Sequence, residues 1–199
     1  MAYATIKRGS SGEGYFALSK ENPPFFISPK QLAAWHLEEG AQLDEAQYLR
    51  IKALHAASAC MEQAVKYLAM REHTAKELRQ KLMQKQYAPD TIATTLATLQ
   101  GSGAQSDERY AEILVRSRQS RNPEGKVMLL RRLAEKGVSS QLARRVVDEA
   151  FAGNGEMYVR TAWDMAWRQS PDRQKCLARM QRKGFSYGEV RRMLERRDD

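Results

Sequence analysis

The spacing of hydrophobic positions changes character once along the chain. Up to about residue 28 they come in short runs. Ala4-Thr5-Ile6-Lys7 and Tyr15-Phe16-Ala17-Leu18 flank a Gly/Ser-rich stretch from Gly9 to Gly14, and Phe25-Phe26-Ile27 follows Pro23-Pro24. This punctuation predicts two or three short β-strands. Ser28-Pro29 then supplies an N-cap and a first helical residue, and Gly40 a stop, with Leu32, Trp35 and His36 on one face between them. Asp44 with Gln47 three residues on predicts a second helix, running toward Ala57.

Beyond residue 60 the period is helical throughout. Ala64, Tyr67 and Leu68 mark one apolar face. Thr74-Ala75-Lys76-Glu77 reads as a capping box opening a helix with Leu78 and Leu82 inward. Further faces are expected at Tyr110/Ile113/Leu114/Ser117, Val127/Leu130/Leu133/Ala134 and Leu142/Val146/Val147/Ala150. Ser186 with Glu189 caps the last helix.

These helices belong to an internal repeat. Leu78 to Tyr87 recurs as Leu129 to Val138 and again as Cys176 to Phe185. Each copy places two apolar residues four apart, then a lysine, then Gln86, Gly137 or Gly184, then an apolar anchor. An apolar pair four apart follows each anchor: Ile92/Leu96, Ala143/Val147 and Val190/Leu194. A further helix precedes each unit, at about 60–71, 107–121 and 155–169, so each module holds three short helices. Gly137 and Gly184 stand where a helix C-terminus needs a left-handed residue, and Gln86 at that place should be mildly strained. Such modules stack in line. The expected fold is therefore mainly α: an elongated solenoid of three tandem three-helix repeats with a small N-terminal strand-plus-helix head. Its parts are an N-terminal extension over 1–58 and repeats over 59–105, 106–153 and 154–199.

Charge adds a second division. Residues 1–60 carry six basic and six acidic side chains, so the net +9 of the 199-residue chain lies entirely in the remainder. Arg109 to Arg145 holds ten basic against three acidic residues, too few for lacing by local salt bridges. A balance this basic points to an anionic partner. No run of about 18 apolar residues is present, so no membrane span is expected, and the first eleven residues lack a secretory apolar core. Two cysteines, Cys60 and Cys176, are too few for a disulfide framework and fit a reducing cytoplasm. Three scattered histidines match no zinc spacing, and no Walker loop, G-x-S-x-G or G-x-G-x-x-G is present. No catalytic residue, metal site or cofactor is expected, and the protein reads as a binding protein, not an enzyme.

Candidate contact residues follow from the basic stripes. Lys175, Arg179, Arg182 and Lys183 fall at i, i+4, i+7 and i+8, one helical stripe, with Arg131 and Arg132 on the equivalent helix one repeat earlier. Arg116, Arg118, Arg121 and Lys126 cluster about the turn at Asn122-Pro123-Glu124-Gly125, and Arg144 and Arg145 lie on the next helix. Such stripes are often only solvated faces. Trp163 and Trp167 are expected to pack between repeats, Tyr87 and Phe185 in the core, His73 on the surface, and both cysteines as buried apolar groups.

Three runs resemble the motifs of the RecX regulatory proteins: Tyr67-Leu68-Ala69-Met70-Arg71-Glu72-His73-Thr74-Ala75-Lys76-Glu77-Leu78, then Gly103-Ala104-Gln105-Ser106-Asp107-Glu108-Arg109-Tyr110-Ala111, then Arg132-Leu133-Ala134-Glu135-Lys136-Gly137-Val138. The resemblance covers about residues 61–195, and the family usually has glycine where Gln86 stands. It implies a modulator of the RecA recombinase in DNA recombination, repair and the SOS response. Such a modulator binds RecA, often inside the filament groove, and suppresses ATP hydrolysis and strand exchange. The implied partners are the RecA filament and single- or double-stranded DNA, met as a monomer. The residues alone leave two other readings open: a sequence-nonspecific nucleic-acid binder, and a helical scaffold for an acidic protein. A binder neutralising about six phosphates would show a log–log salt slope of roughly −5.

Overall fold

The computed structural model describes residues 2–10 and 12–198, excepting the side chains of the last two of these. Four strands form the head: β1 (Ala4–Arg8), β2 (Tyr15–Ser19), β3 (Phe25–Ile27) and β4 (Gln42–Leu43). They make one antiparallel sheet in the order β3-β2-β1-β4, with Ala4 opposite Ser19 and Leu43, and Tyr15 opposite Ile27. Alternate residues Ala4, Ile6, Ala17, Ile27 and Leu43 face one side, where Tyr48 and Ile51 complete a small core. Of the two or three strands expected from sequence, all three runs form strands. The fourth holds two residues and has no period to read.

Helix α1 (Pro29–Ala34) starts at Ser28, as the sequence predicts, and Gln31 closes a full capping box there that the sequence reading does not name. It ends at Ala34, six residues short of Gly40, and His36 just beyond it takes a left-handed φ of 54°. Trp35 and His36 therefore lie past the helix and do not continue its face. Helix α2 (Glu45–Met70) likewise starts at an Asp44/Gln47 capping box. It runs unbroken for 26 residues, where sequence reading expects one helix toward Ala57 and another from residue 60. No Gly or Pro interrupts this stretch, so nothing stops the helix. Its first turns cover the sheet with Tyr48 and Ile51, and its last turns bury Cys60 and Ala64 in the first module. The two expected parts thus share one rod across positions 58 and 59.

The first module is completed by α3 (Ala75–Gln84) and α4 (Pro89–Gly101). The second is α5 (Asp107–Arg121), α6 (Lys126–Glu135) and α7 (Ser140–Phe151). The third is α8 (Gly155–Gln169), α9 (Arg173–Arg182) and α10 (Tyr187–Asp198). Leu78/Leu82, Leu129/Leu133 and Cys176/Met180 are all fully buried, which is why the repeat is visible in sequence. The chain exposes 12736 Å², against about 9,500 Å² for a compact monomer of this mass, as a row of stacked modules should.

Several local expectations are corrected. On α5 the buried face is Tyr110, Ala111, Val115 and Gln119, and Ile113 points outward. On α6 Leu129 and Leu133 face inward while Val127 is 71% exposed. His73 is buried, its Nδ1 2.9 Å from the Arg71 carbonyl oxygen, because it lies between the first and second modules. Trp163 is buried, and Trp167 stacks on it at 6.1 Å between ring centroids with much of its own ring exposed. Thr74 caps α3 through the Glu77 amide, but the Glu77 carboxylate turns to Lys136 and Arg71 and does not close the box. Gln86 has φ 63°, the strained left-handed residue expected there, and Gly137 and Gly184 both have φ 84°.

One contact sets the stacking. The N-cap of the middle helix of one module sits on the glycine that ends the middle helix of the next. Thr74 Oγ1 donates to the Lys136 carbonyl at 2.8 Å, and Gly125 N–H donates to the Lys183 carbonyl at 2.8 Å. A Cβ on Gly184 would stand 2.6 Å from the Met128 nitrogen, and one on Gly125 2.0 Å from the Gly184 oxygen. Gly184 serves both the left-handed turn and the close approach, and Gly125, at φ −72°, the close approach alone.

Candidate nucleic-acid interface

The twelve cationic side chains singled out from the sequence divide into three groups. The first is tied up in its own module by ion pairs. Lys126 reaches Asp148 at 2.5 Å, Arg131 pairs with Glu135 at 3.0 Å, and Arg145 bridges Glu108 at 2.7 Å and Glu149 at 3.4 Å. Lys175 lies 3.8 Å from Asp172 at the start of α9. All five pairs are at the surface, where such contacts are weak and salt-sensitive, so these four cations stay available to a stronger anion.

The second group, Arg116, Arg118, Arg121 and Arg144, is exposed and makes no side-chain hydrogen bond or ion pair among the described residues. Arg118 and Arg121 are three residues apart and share a flank of α5. Arg116 stands on the opposite flank, beside Glu112 at the edge of another cavity that also holds Glu149. Arg144 projects from α7.

The third group converges. Arg132, Arg179, Arg182 and Lys183 line one cleft of about 430 Å³ between the second and third modules, with Asn122, Glu124, Met128, Met165 and Gln169. Glu124 is buried. Its backbone N–H and C=O are both held by the Gln119 amide, and its carboxylate takes a forked pair from Arg132 at 2.6 and 2.8 Å. That pairing holds the Arg132 guanidinium further into its charged range. Arg179 donates to the Ala166 carbonyl at 2.9 Å, near the end of α8. Lys183 crosses the joint, its Nζ 2.6 Å from Asn122 Oδ1. Burial pulls the Lys183 ammonium below its ordinary pKa, with the Glu124 charge opposing. Arg182 makes no side-chain hydrogen bond or ion pair among the described residues. One carboxylate thus faces four cations. The stripe expected on α9 bends into this cleft at its C-terminal end and leaves Lys175 outside.

Pairing is denser than the sequence implies. Of the ten cations from Arg109 to Arg145, six are paired. Four of the six draw on acids outside that window: Glu72, Glu77, Glu108 and Asp148. The fold imports counter-ions that a local charge count cannot see. Glu124, Asn122 and Met128 were missed as cleft residues. The signal for Met128 is the repeat itself, since it occupies the place that Glu77 holds one module earlier.

Among the described residues there is no cluster of His, Cys, Asp and Glu fit to hold a metal, and no helix long and apolar enough to cross a membrane.

The comparisons with known proteins agree with this architecture. The family model of the first three-helix domain of RecX matches residues 60–99, and that of the second matches residues 106–147. The regulatory protein RecX of Chromohalobacter salexigens is 33% identical over 140 residues, which span 67% of this chain and 89% of that protein. The regulatory protein RecX of Chlorobaculum tepidum is 29% identical over 144 residues, 69% of this chain and 88% of its own. A crystal structure of a regulatory protein RecX superposes with a TM-score of 0.76 over 98% of this chain and all of that one, at 19% identity. With the three-module row, its head and these matches in hand, the chain belongs to the RecX family of regulatory proteins.

Proposed function

We propose that this protein is a non-catalytic regulator that binds the RecA recombinase and its DNA filament, lies along the filament groove, and inhibits ATP hydrolysis and strand exchange. The observation that carries this reading is the basic cleft between the second and third modules, set in an elongated row of helices. A nucleoprotein filament is a long grooved polyanion. A row of modules with cations at a joint can follow such a groove, where a sphere would touch it at one point. Arg132, Arg179, Arg182 and Lys183 are assigned to the deepest contact. Arg116, Arg118, Arg121, Arg144 and the weakly paired Lys126, Arg131, Arg145 and Lys175 are assigned to contacts along the flanks. The protein acts as a monomer in the cytoplasm on this reading.

A titration of RecA's ATPase on single-stranded DNA tests it. Inhibition at or below one copy per RecA supports the reading, and no inhibition at any ratio rejects it. The unpaired arginines also favour a second reading, a sequence-nonspecific nucleic-acid binder. That reading requires DNA affinity that RecA does not change.

A further inference from the structure

The two joints between modules are built on one plan and differ in one respect. At each, the lysine that precedes the left-handed glycine reaches back to the preceding module. Lys136 meets the carboxylate of Glu77 at 2.7 Å, and Glu77 also takes Arg71 at 3.1 Å. Glu72 with Arg109 at 2.8 Å adds a second ion pair across that joint. The first joint is neutralised from within. At the second joint Lys183 meets only the neutral amide of Asn122. The residue equivalent to Glu77 is Met128, which lines the cleft and packs against Gly184. Among the described residues no ion pair crosses this joint and Arg182 beside Lys183 has no partner. Glu124, the one carboxylate lining the cleft among the described residues, is consumed by Arg132 of its own module.

We propose that a phosphodiester group of nucleic acid supplies the counter-ion that the second joint lacks, seated between Lys183 and Arg182 of the third module and the Asn122–Met128 wall of the second. This rests on the functional reading above and adds the place and chemistry of the contact. Phosphate suits the site better than a protein carboxylate because the donors come from two modules and several directions. A tetrahedral anion with two free oxygens can accept from all of them, and Lys183 acts there as a point charge. A polymer suits it better than a lone ion. Arg118 and Arg121 lead along their flank of α5 to Asn122, so the cations form a track that ends in the cleft. Burial of Lys183 strengthens its interaction with an anion that displaces water there.

The test is fluorescence anisotropy of a labelled oligothymidylate with four full-length variants. Arg182→Gln/Lys183→Met removes the seat. Met128→Glu installs the internal carboxylate of the first joint. Arg79→Gln/Lys85→Met removes the same charge from exposed positions of the first module, Lys85 being the lysine equivalent to Lys183. Arg118→Gln/Arg121→Gln interrupts the track. The seat variant and Met128→Glu should each weaken binding tenfold or more. The first-module control should change it no more than about twofold, with helicity by circular dichroism intact throughout. The salt slope should fall in magnitude by about 1 to 2 in the seat variant. Equal losses in the seat and control variants would reduce the effect to net charge and overturn the proposal. If the cleft variants bind as wild type does while RecA's ATPase is still inhibited, the proposal falls and the regulatory reading stands. Absence of oligonucleotide binding at low salt, with RecA binding lost in the seat variant, would assign the cleft to an acidic protein surface and overturn it as well.

Discussion

Gln86 and Gly184 hold the same place in their modules and face different surroundings. Both are left-handed, with φ of 63° and 84°. Gly184 lies under the N-terminus of α6, where an added Cβ would meet the Met128 backbone nitrogen at 2.6 Å. Gln86 belongs to the first module, after the head among the described residues, and its side chain is exposed. The close-approach requirement is gone there and only the backbone strain remains. Gln86→Gly should therefore raise stability by about 1 kcal/mol by removing that strain, read as a higher denaturant midpoint at unchanged m-value. Gly184→Ala should lower it by about 2–4 kcal/mol, since conformational strain and a backbone clash combine. Equal effects at the two positions would contradict the stacking contact described above.

At the scale of the elements, the joint between the first two modules is a polar lock and carries a pH dependence. His73 is buried there, and burial is the main cause that lowers its pKa from 6.5, the nearby Arg71 charge adding to it. The unfolded chain binds the proton more readily, so this stability is complete above pH 6.5 and is lost as pH falls through 6.5 toward the folded value. For Glu77 burial raises the pKa, but the hydrogen bonds and charges of Lys136 and Arg71 outweigh it and the net shift is downward from 4.5. That contribution is present above pH 4.5 and is lost as pH falls below it toward the folded value. The melting temperature should thus decline in two stages on acidification. Glu77→Gln should remove much of the second stage, and His73→Gln should flatten the first. An unchanged profile in both variants would place the titrating groups elsewhere, His55 among them, since burial lowers its pKa too. The middle helices were readable because their inward pairs recur in each module. The α5 face was not. There Gln119 is buried because it satisfies both backbone groups of Glu124, a role that hydrophobic spacing cannot register.

For the whole molecule, charge is the governing property and tertiary structure redistributes it. The basic run around α5 and α6 reads from sequence as unpaired, yet acids from the turn between α2 and α3, from α3, from α7 and from the start of α5 reach into it. What remains unneutralised is narrower: the α5 flank, Arg144 and the cleft. Arg118→Gln/Arg121→Gln should lower the magnitude of the DNA salt slope by about 2, whereas Lys126→Gln should lower it by less because Asp148 already competes for that charge. Titrating DNA affinity against salt for the two variants checks this. A larger drop for Lys126→Gln would mean that the surface pairs open on binding.

The sequence by itself determined the class of the fold, the three modules, most helix starts and the basic character of the body. Each of these is local: a cap within four residues, an apolar pair four apart, a recurring lysine and turn residue, a sum of charges. The tertiary structure alone decided that α2 joins head and body as one rod, that His73 is enclosed, and which cations keep their charge unmatched. Those outcomes depend on side chains tens of residues apart. Whether Lys136 or Lys183 finds a carboxylate is settled by what the neighbouring module presents, Glu77 in one case and Met128 in the other.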